Sequence, residues 1–267
     1  MRLLSKPVLV PVGLWFLAVA LHAARPEEER AVAFLYDQWK NGPANATSVV
    51  QAADEILPRL APGPWRDAGE AFRTFALLEA GQTDKARLAL EALHGSPSTA
   101  PAVAEWCKRW LTRLDREKVR EALRASYRRE IRFPESLAPL AAISPPPPMT
   151  DRWGAPWRYR LSPPKRIPGI TAQSYLLESP SLGRLSDLAA ALAQPRPESP
   201  SIRPVGLVPQ PGQTMPLVRF ETIRPPVEQA ILAVRSSWKG VTLLDVGETF
   251  LLLAENDYLF VLRRPER

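Results

Sequence analysis

The distribution of proline most limits the folds that this sequence can adopt. The 267 residues include 30 prolines and 13 glycines, and the prolines are clustered, as in the run Pro145 to Pro148. Because proline fixes the backbone φ angle and has no N–H to donate, such clusters form rigid, extended segments. The hydrophobic fraction of 45% is enough for a core. We therefore expect a modular chain, with one or two domains and proline-rich connections between its folded parts.

The first 24 residues carry the charge pattern of an export segment. Arg2 and Lys6 provide a positive flank, and residues 7–24 contain no Asp, Glu, Lys or Arg. Export machinery recognises this pattern. The run is slightly short for a spanning helix, which needs about 20 apolar residues, and Ala18 to Ala20 fits a small-x-small cleavage site. Residues 1–24 are therefore predicted to be a cleaved signal peptide or a retained membrane anchor. The predicted location is periplasmic, anchored in the inner membrane facing the periplasm, or secreted.

The net charge of +7 includes Arg2 and Lys6 of the export segment, so the rest of the chain is only mildly basic. Its densest basic stretch, residues 102–132, interleaves Arg and Lys with acidic residues at spacings that permit pairing within a helix. This pattern favours a solvated helix face over a phosphate-binding surface. Since an exported protein seldom meets nucleic acid, we expect no nucleic-acid partner.

Side chains suited to catalysis are few. Cys107 is the only cysteine, and its place between Trp106 and Trp110 predicts a small apolar helix residue rather than a reactive thiol. Of the two histidines, His22 falls in the export segment, and His94 is predicted to be structural or solvent-facing. The sequence has no glycine-rich phosphate loop and no clustered metal ligands. It therefore predicts no catalytic residue, metal site or cofactor.

Residues 25–121 are predicted to form a helical domain. Apolar residues at spacings of three and four predict helices over 27–40, over 47–57 and, as an antiparallel pair, over 65–94. A long helix, or two shorter ones, is predicted over 102–132. Within the pair, the placing of Gly81, Ala86, Leu90, Leu93 and Pro97 resembles one tetratricopeptide unit. Such arrays need about three repeats to bury a core, so a helical hairpin is the primary prediction.

A specific set of aromatic, proline and glycine residues follows the long helix. Three motifs occur in order: Phe133-Pro134-Glu135-Ser136-Leu137, Asp151-Arg152-Trp153-Gly154-Ala155-Pro156-Trp157-Arg158-Tyr159-Arg160, and Ser181-Leu182-Gly183. Together they resemble the C-terminal globular part of the major pseudopilin of type II secretion systems, over about residues 122–183. The resemblance implies a small antiparallel sheet that opens at the second motif and closes at the third. The residues assigned to this structural motif are Pro134, Asp151, Trp153, Gly154, Pro156, Trp157, Tyr159, Ser181 and Gly183.

The residues of the second motif predict the same local structure without the family. Gly154 suits a tight turn with a positive φ angle, and Pro156 fixes the next residue. Residues 157–161 alternate as a half-buried strand does, and residues 175–177 provide a pairing strand. We therefore expect a domain over residues 122–186.

The sequence also departs from the pseudopilin pattern. It lacks the processing site at the head of the hydrophobic helix, and about a hundred residues separate the export segment from the motif, so a filament subunit is not expected. In the family, an acidic calcium loop follows the Ser-Leu-Gly turn. Here Arg184 occupies the place of an acidic ligand, and calcium requires several oxygen ligands. Calcium binding is therefore not expected.

The last third of the chain is predicted to contain a linker and a small module. Residues 187–216 are rich in Pro, Ala, Ser and Gln and predict an extended linker. Residues 217–267 predict a βαβββ module. Its elements are a strand over 217–223, a helix over 225–238, and strands over 241–246, 249–255 and 258–264. The predicted fold class is α+β.

These features favour a non-enzymatic envelope protein that acts as a binding or assembly component of a type II secretion or pilus-like system. Its predicted partners are envelope proteins, and the sequence leaves its oligomeric state open. Two alternatives remain. One is a helical-repeat periplasmic adaptor that binds peptides or envelope proteins. The other is a secreted enzyme whose site the sequence does not reveal.

Overall fold

The computed structural model describes residues 26–162, 165–167, 170–210 and 215–266. The predicted export segment, residues 1–24, lies outside these ranges. The described residues form an α+β fold, as predicted. The α-helices are α1 (Pro26–Lys40), α2 (Ala46–Ile56), α3 (Pro64–Glu79), α4 (Thr83–Gly95), α5 (Pro101–Glu130) and α6 (Leu188–Leu192). The strands are β1 (Arg158–Leu161), β2 (Lys165–Ile167), β3 (Ile170–Ala172), β4 (Tyr175–Glu178), β5 (Ile202–Val208), β6 (Leu217–Thr222), β7 (Gln229–Leu232), β8 (Ser237–Trp238), β9 (Val241–Val246), β10 (Phe250–Glu255) and β11 (Tyr258–Arg263).

Helices α1 to α5 form one packed layer, and their bounds follow the sequence predictions closely. Proline lies at the first position of α3 and of α5. At this position a backbone N–H has no partner within the helix, so its absence in proline costs nothing. Gly81, with φ +72°, lies between α3 and α4. The predicted helical hairpin is therefore confirmed, while its likeness to a tetratricopeptide unit stays a prediction. Among the described helices, none is both long enough and apolar enough to cross a membrane.

Helix α5 belongs to two cores. Its first half places Trp106, Cys107 and Trp110 in the core of the helical layer. Its second half places Val119 and Leu123 in a separate core with Leu137, Leu140, Trp157 and Leu177. The helix thus continues through the predicted domain boundary at residue 121, so the helical layer and the small sheet share a rigid element.

The small sheet pairs β1 with β4 in antiparallel register, with Tyr159 opposite Leu177 and Leu161 opposite Tyr175. The predicted strand over 157–161 and its predicted partner over 175–177 are therefore confirmed. Strands β2 and β3 pair with each other as a separate short hairpin.

The C-terminal strands form two facing sheets, with orders β11-β10-β9-β8 and β5-β6-β7. Along β10, Leu251 and Leu253 pack against the three-stranded sheet, whereas Leu252 packs against the helical layer. Successive strand residues point to opposite faces, so a strand that is covered on both sides needs an unbroken apolar run. The sequence Phe250-Leu251-Leu252-Leu253-Ala254 meets this requirement. The four-stranded sheet therefore lies between the helices and the second sheet.

Two element predictions in this region are wrong. The segment predicted as a helix over 225–238 forms β7 and β8 instead, so the module contains strands where βαβββ had been predicted. Strand β7 pairs with β6 and β8 with β9, so hydrogen bonds between neighbouring strands satisfy the backbone groups that a helix would have satisfied internally. The expected linker over 187–216 contains α6 and β5. Its apolar residues Ala191 and Ile202 are buried against the rest of the chain.

Candidate functional site

The pseudopilin-like motif forms a closed turn around Asp151, which is 3% exposed. Its Oδ1 atom accepts the backbone N–H groups of Trp153 and Ala155, both at 3.1 Å. Its Oδ2 atom accepts the Ser179 hydroxyl at 2.7 Å and the Ser181 N–H at 3.3 Å. A single carboxylate thus joins the second motif to the Ser-Leu-Gly turn.

Hydrogen bonds to the carboxylate determine the ionisation of Asp151. Burial alone would raise the pKa of this group, because it removes water from the charged form. The hydrogen bonds from Ser179, Ser181 and Ala155 outweigh burial and hold the pKa of Asp151 below its ordinary value. The residue is therefore a permanently charged structural centre at neutral pH.

The two glycines and Pro156 determine the backbone path of the motif. Gly154 and Gly183 have φ angles of +85° and +71°, in the left-handed region where only glycine is free of strain. Pro156 forms an isolated bridge with Thr150, next to the start of β1. Gly183 forms the corresponding bridge with Ser179.

The aromatic residues of the motif fix the neighbouring loops. The Trp157 indole N–H donates to the Pro148 carbonyl at 2.9 Å, and the Tyr159 hydroxyl donates to the Pro134 carbonyl at 2.7 Å. Trp153 is half-buried, and the Lys108 Nζ atom lies 5.9 Å from the centre of its ring. The structure thus brings all nine predicted motif residues into one unit.

The residue after Asp151 attaches this unit to the helical layer. Arg152 donates from Nε to Asp115 Oδ2 at 2.5 Å, and its backbone N–H donates to the Thr112 hydroxyl at 3.3 Å. Asp115 is 1% exposed and also accepts from Arg87 at 2.6 Å. Two guanidinium groups therefore neutralise one buried carboxylate, which offsets part of the cost of its burial.

A cleft of about 1060 Å³ opens where α5, the turn after β4, the segment before β5 and the C-terminal sheets meet. The β10–β11 turn provides its floor. The Asp257 carbonyl accepts the indole N–H groups of Trp106 and Trp110, at 2.8 and 3.4 Å. The Asp257 carboxylate accepts two hydrogen bonds from Arg113, at 3.1 and 2.6 Å. These contacts fix the turn against α5.

The segment before β5 forms one wall of the cleft and is fastened through Arg196. Its guanidinium lies 4.5 Å from the ring centre of Trp39 and 5.7 Å from that of Phe75, and it forms an ion pair with Glu79. Lys40 donates to the Glu198 carbonyl at 3.0 Å. The prolines on either side of Arg196 line the cleft, so the wall is held in place although its sequence predicted a linker.

Positive charge dominates the lining of the cleft. Arg184 and Arg224 are exposed, Arg109 is half-buried, and Lys239 is exposed and forms an ion pair with Glu228 at 2.9 Å. The acidic lining residues are Glu255 and Asp257. Asp257 is already bound by Arg113, and Glu255 accepts the Ser201 N–H at 2.9 Å. The lining contains five basic side chains and two acidic ones, so its net charge is positive and the site is suited to binding an anionic ligand.

Sequence reasoning did not detect this cleft. Its lining residues come from five separate parts of the chain between Arg109 and Phe260, and no local spacing relates them. The comparison with the pseudopilin pattern singles out Arg184 only because it stands in the place of an acidic calcium ligand. The one local signal is the arginine itself, directly after the Ser-Leu-Gly turn.

Two carboxylic acids of α3, Asp67 and Glu70, have raised pKa values. Burial raises the pKa of Asp67 to about 6, in spite of the N–H that Ala100 donates to it. Burial also raises the pKa of Glu70. Among the residues with described positions, no three His, Cys, Asp or Glu side chains converge as a group that could hold a metal ion.

Comparison of the chain with protein-family models, with curated proteins and with solved structures gives no significant match.

Proposed function

We propose that the protein is a non-enzymatic component of the bacterial cell envelope that binds other proteins in or beside a type II secretion or pilus-like assembly. The observation that carries this proposal is the Asp151-centred turn, in which one buried carboxylate joins the second motif to the Ser-Leu-Gly turn. The predicted export segment over residues 1–24 supports a periplasmic, membrane-anchored or secreted location.

The way the pseudopilin-like unit is attached favours a role in assembly. Arg152 and the second half of α5 join the unit to the helical layer through buried contacts. A unit that is attached in this way presents its surface in a fixed orientation, which lowers the entropy cost of binding a partner.

The adaptor hypothesis requires a free surface on the helices between Trp65 and Leu114. Here Trp106 and Trp110 donate to the chain's own Asp257, and Phe75 and Trp39 lie beside Tyr258. This aromatic face is therefore occupied by the β10–β11 hairpin, which favours the assembly role over the adaptor role.

Affinity purification of the tagged full chain from native membranes, after cross-linking, tests the proposal. We expect it to recover a secretion or pilus component, with cross-links within residues 151–183. Cross-links confined to residues 65–114 would favour the adaptor instead. If no secretion or pilus component is recovered, the proposed function is wrong.

A matched pair of variants makes this test specific. Asp151→Ala opens the turn and is expected to reduce the recovery of the partner, whereas Glu135→Ala, at an exposed residue nearby, is expected to leave it unchanged. N-terminal sequencing of the mature protein, with fractionation of membrane and soluble periplasm, distinguishes a cleaved signal from a retained anchor.

A further inference from the structure

The basic cleft lies where α5, the turn after β4, the segment before β5 and the C-terminal sheets meet. Helix α5 contributes Arg109, the turn after β4 contributes Arg184, the β6–β7 loop contributes Arg224, and the β8–β9 turn contributes Lys239. Binding sites occur preferentially at such junctions, because a concave surface needs walls from more than one part of the fold.

The size and shape of the cleft limit what it could bind. Pockets for small molecules have volumes of about 300–1000 Å³ and enclose most of the ligand. This cleft of about 1060 Å³ is at the upper end of that range and is only partly enclosed, with an open side toward solvent. A flat bilayer surface would not reach basic groups that lie around a concave surface. An extended polypeptide segment fits both the size and the open side.

The charges define the chemistry of that segment. Arginine guanidinium groups bind carboxylates with two parallel hydrogen bonds, and Arg184 and Arg224 expose theirs at the cleft. Ile223, which is 46% exposed, lies beside Arg224 and offers an apolar contact. We propose that the cleft binds an acidic, extended segment of a protein partner, with Arg184 and Arg224 as the principal carboxylate-binding residues.

This inference rests on the proposed function, because it specifies the kind of partner segment that such an envelope component would bind. It also explains the departure from the pseudopilin pattern at residue 184. A basic residue at this place serves carboxylate binding, where an acidic one would bind a cation.

Fluorescence anisotropy with the purified full chain tests the inference directly. The probes are a labelled peptide that alternates glutamate with leucine and a matched peptide that has glutamine at each glutamate position. We expect the glutamate peptide to bind and the glutamine peptide to bind at least about tenfold more weakly. Raising the salt concentration should weaken the binding, because exposed charge pairs are screened. Equal binding of the two peptides would overturn the proposal.

Charge-reversal variants locate the binding site. The double variant Arg184→Glu, Arg224→Glu is expected to lower the affinity for the glutamate peptide by about tenfold or more, since each attraction becomes a repulsion. The control variant Arg124→Glu, Arg128→Glu makes the same charge change at two exposed residues of α5 outside the cleft and should alter the affinity less than about twofold. Arg184 and Arg224 are exposed, so melting of the double variant by circular dichroism should show the wild-type Tm. Unchanged affinity in a folded double variant would contradict the inference.

Two further measurements separate other outcomes. Flotation with vesicles of anionic and neutral phospholipid tests a membrane surface: binding that requires anionic lipid and is lost in the double variant would overturn the peptide assignment. The double variant is also used in the purification from native membranes. If it still recovers a secretion component, this inference fails and the proposed function stands. If the peptide binds but no such component is recovered from wild type, the proposed function fails and the cleft assignment stands.

Discussion

The Glu29 carboxylate lies directly against the Gly247 backbone. A Cβ atom added at Gly247 would be 2.1 Å from the Glu29 Cδ atom. From this position the carboxylate accepts the backbone N–H groups of Glu248, Thr249 and Phe250, at 2.7, 2.9 and 3.1 Å. Glu29 is fully buried, so the first helix and the β9–β10 turn form one interlocked contact.

Replacing Gly247 with alanine should displace the Glu29 carboxylate. Because the methyl group would overlap it and weaken its three hydrogen bonds, we expect Gly247→Ala to lower the free energy of unfolding by about 2–4 kcal/mol. Urea denaturation measures this change.

Gly95→Ala is the matched control, since nothing lies within 4 Å of a Cβ added at this last residue of α4. It should leave stability unchanged or raise it by about 0.5–1 kcal/mol. Equal midpoints for the Gly247 and Gly95 variants would show that the Glu29 contact does not constrain this turn.

Asp151→Asn should destabilise the small sheet in a pH-dependent way. The folded-state pKa of Asp151 is lower than its ordinary value of 3.8, so ionisation contributes stability above that value, and this stability is lost as the pH falls toward the folded-state pKa. At pH 7 we expect a loss of about 1–3 kcal/mol, because the amide fits the four donors poorly.

Urea denaturation at pH 7 and at pH 3 tests this expectation. The difference between wild type and Asp151→Asn should be largest at pH 7 and smaller at pH 3. A difference that grows on acidification would refute the assignment of Asp151 as a charged centre.

Asp67 should have the opposite pH dependence. Its folded-state pKa of about 6 lies above the ordinary value of 3.8, so the folded protein binds a proton that the unfolded chain has released. The stability from this group is complete below about pH 4 and is lost as the pH rises through about 6.

Thermal melts between pH 4 and pH 7 compare wild type with Asp67→Asn. The Tm of wild type should fall over this range as Asp67 ionises, and the Tm of Asp67→Asn should not show this fall. Asp37→Asn, at an exposed residue of α1, should follow wild type. Parallel profiles for wild type and Asp67→Asn would contradict the raised pKa.

Cys107 should be inert in the folded protein. Burial and, to a smaller extent, the nearby Asp67 charge raise the pKa of its thiol to about 12, and the side chain is fully buried. Since the thiolate is the reactive form, a thiol reagent at pH 8 should modify Cys107 only after a denaturant is added. Leu88→Cys, at a residue that is 67% exposed, provides a positive control and should react at once. Fast modification of the wild-type native protein would contradict this environment.

Local sequence patterns predicted the elements that depend on neighbouring residues. The bounds of α1 to α4 follow from apolar spacing and from proline and glycine at the helix ends. The β10–β11 hairpin follows from Asn256-Asp257, where Asn256 takes a positive φ angle of 52°. The tight turn at Gly154 follows from the same kind of local pattern, whereas the contact of the Asp151 carboxylate with Ser179 joins residues 28 positions apart.

The helix predicted over 225–238 shows the limit of such patterns. Val227, Ala230, Ile231 and Val234 are spaced as on one helix face, yet Val227 and Ile231 are exposed at 63% and 51%. Short apolar spacings fit more than one structure, and strand formation depends on partners elsewhere in the chain. Strands β6 and β9 provide those partners for β7 and β8.

The sequence by itself determined helices α1 to α5, the α3–α4 hairpin and the β10–β11 hairpin, because each depends on residues that are close along the chain. Only the tertiary structure decided which face each sheet buries, how Arg196 fastens the proline-rich segment and where the basic cleft lies. The clearest example is the contact of Glu29 with a turn 219 residues later. A buried carboxylate is stable only with donors around it, and no spacing in the sequence indicates that those donors come from the opposite end of the chain.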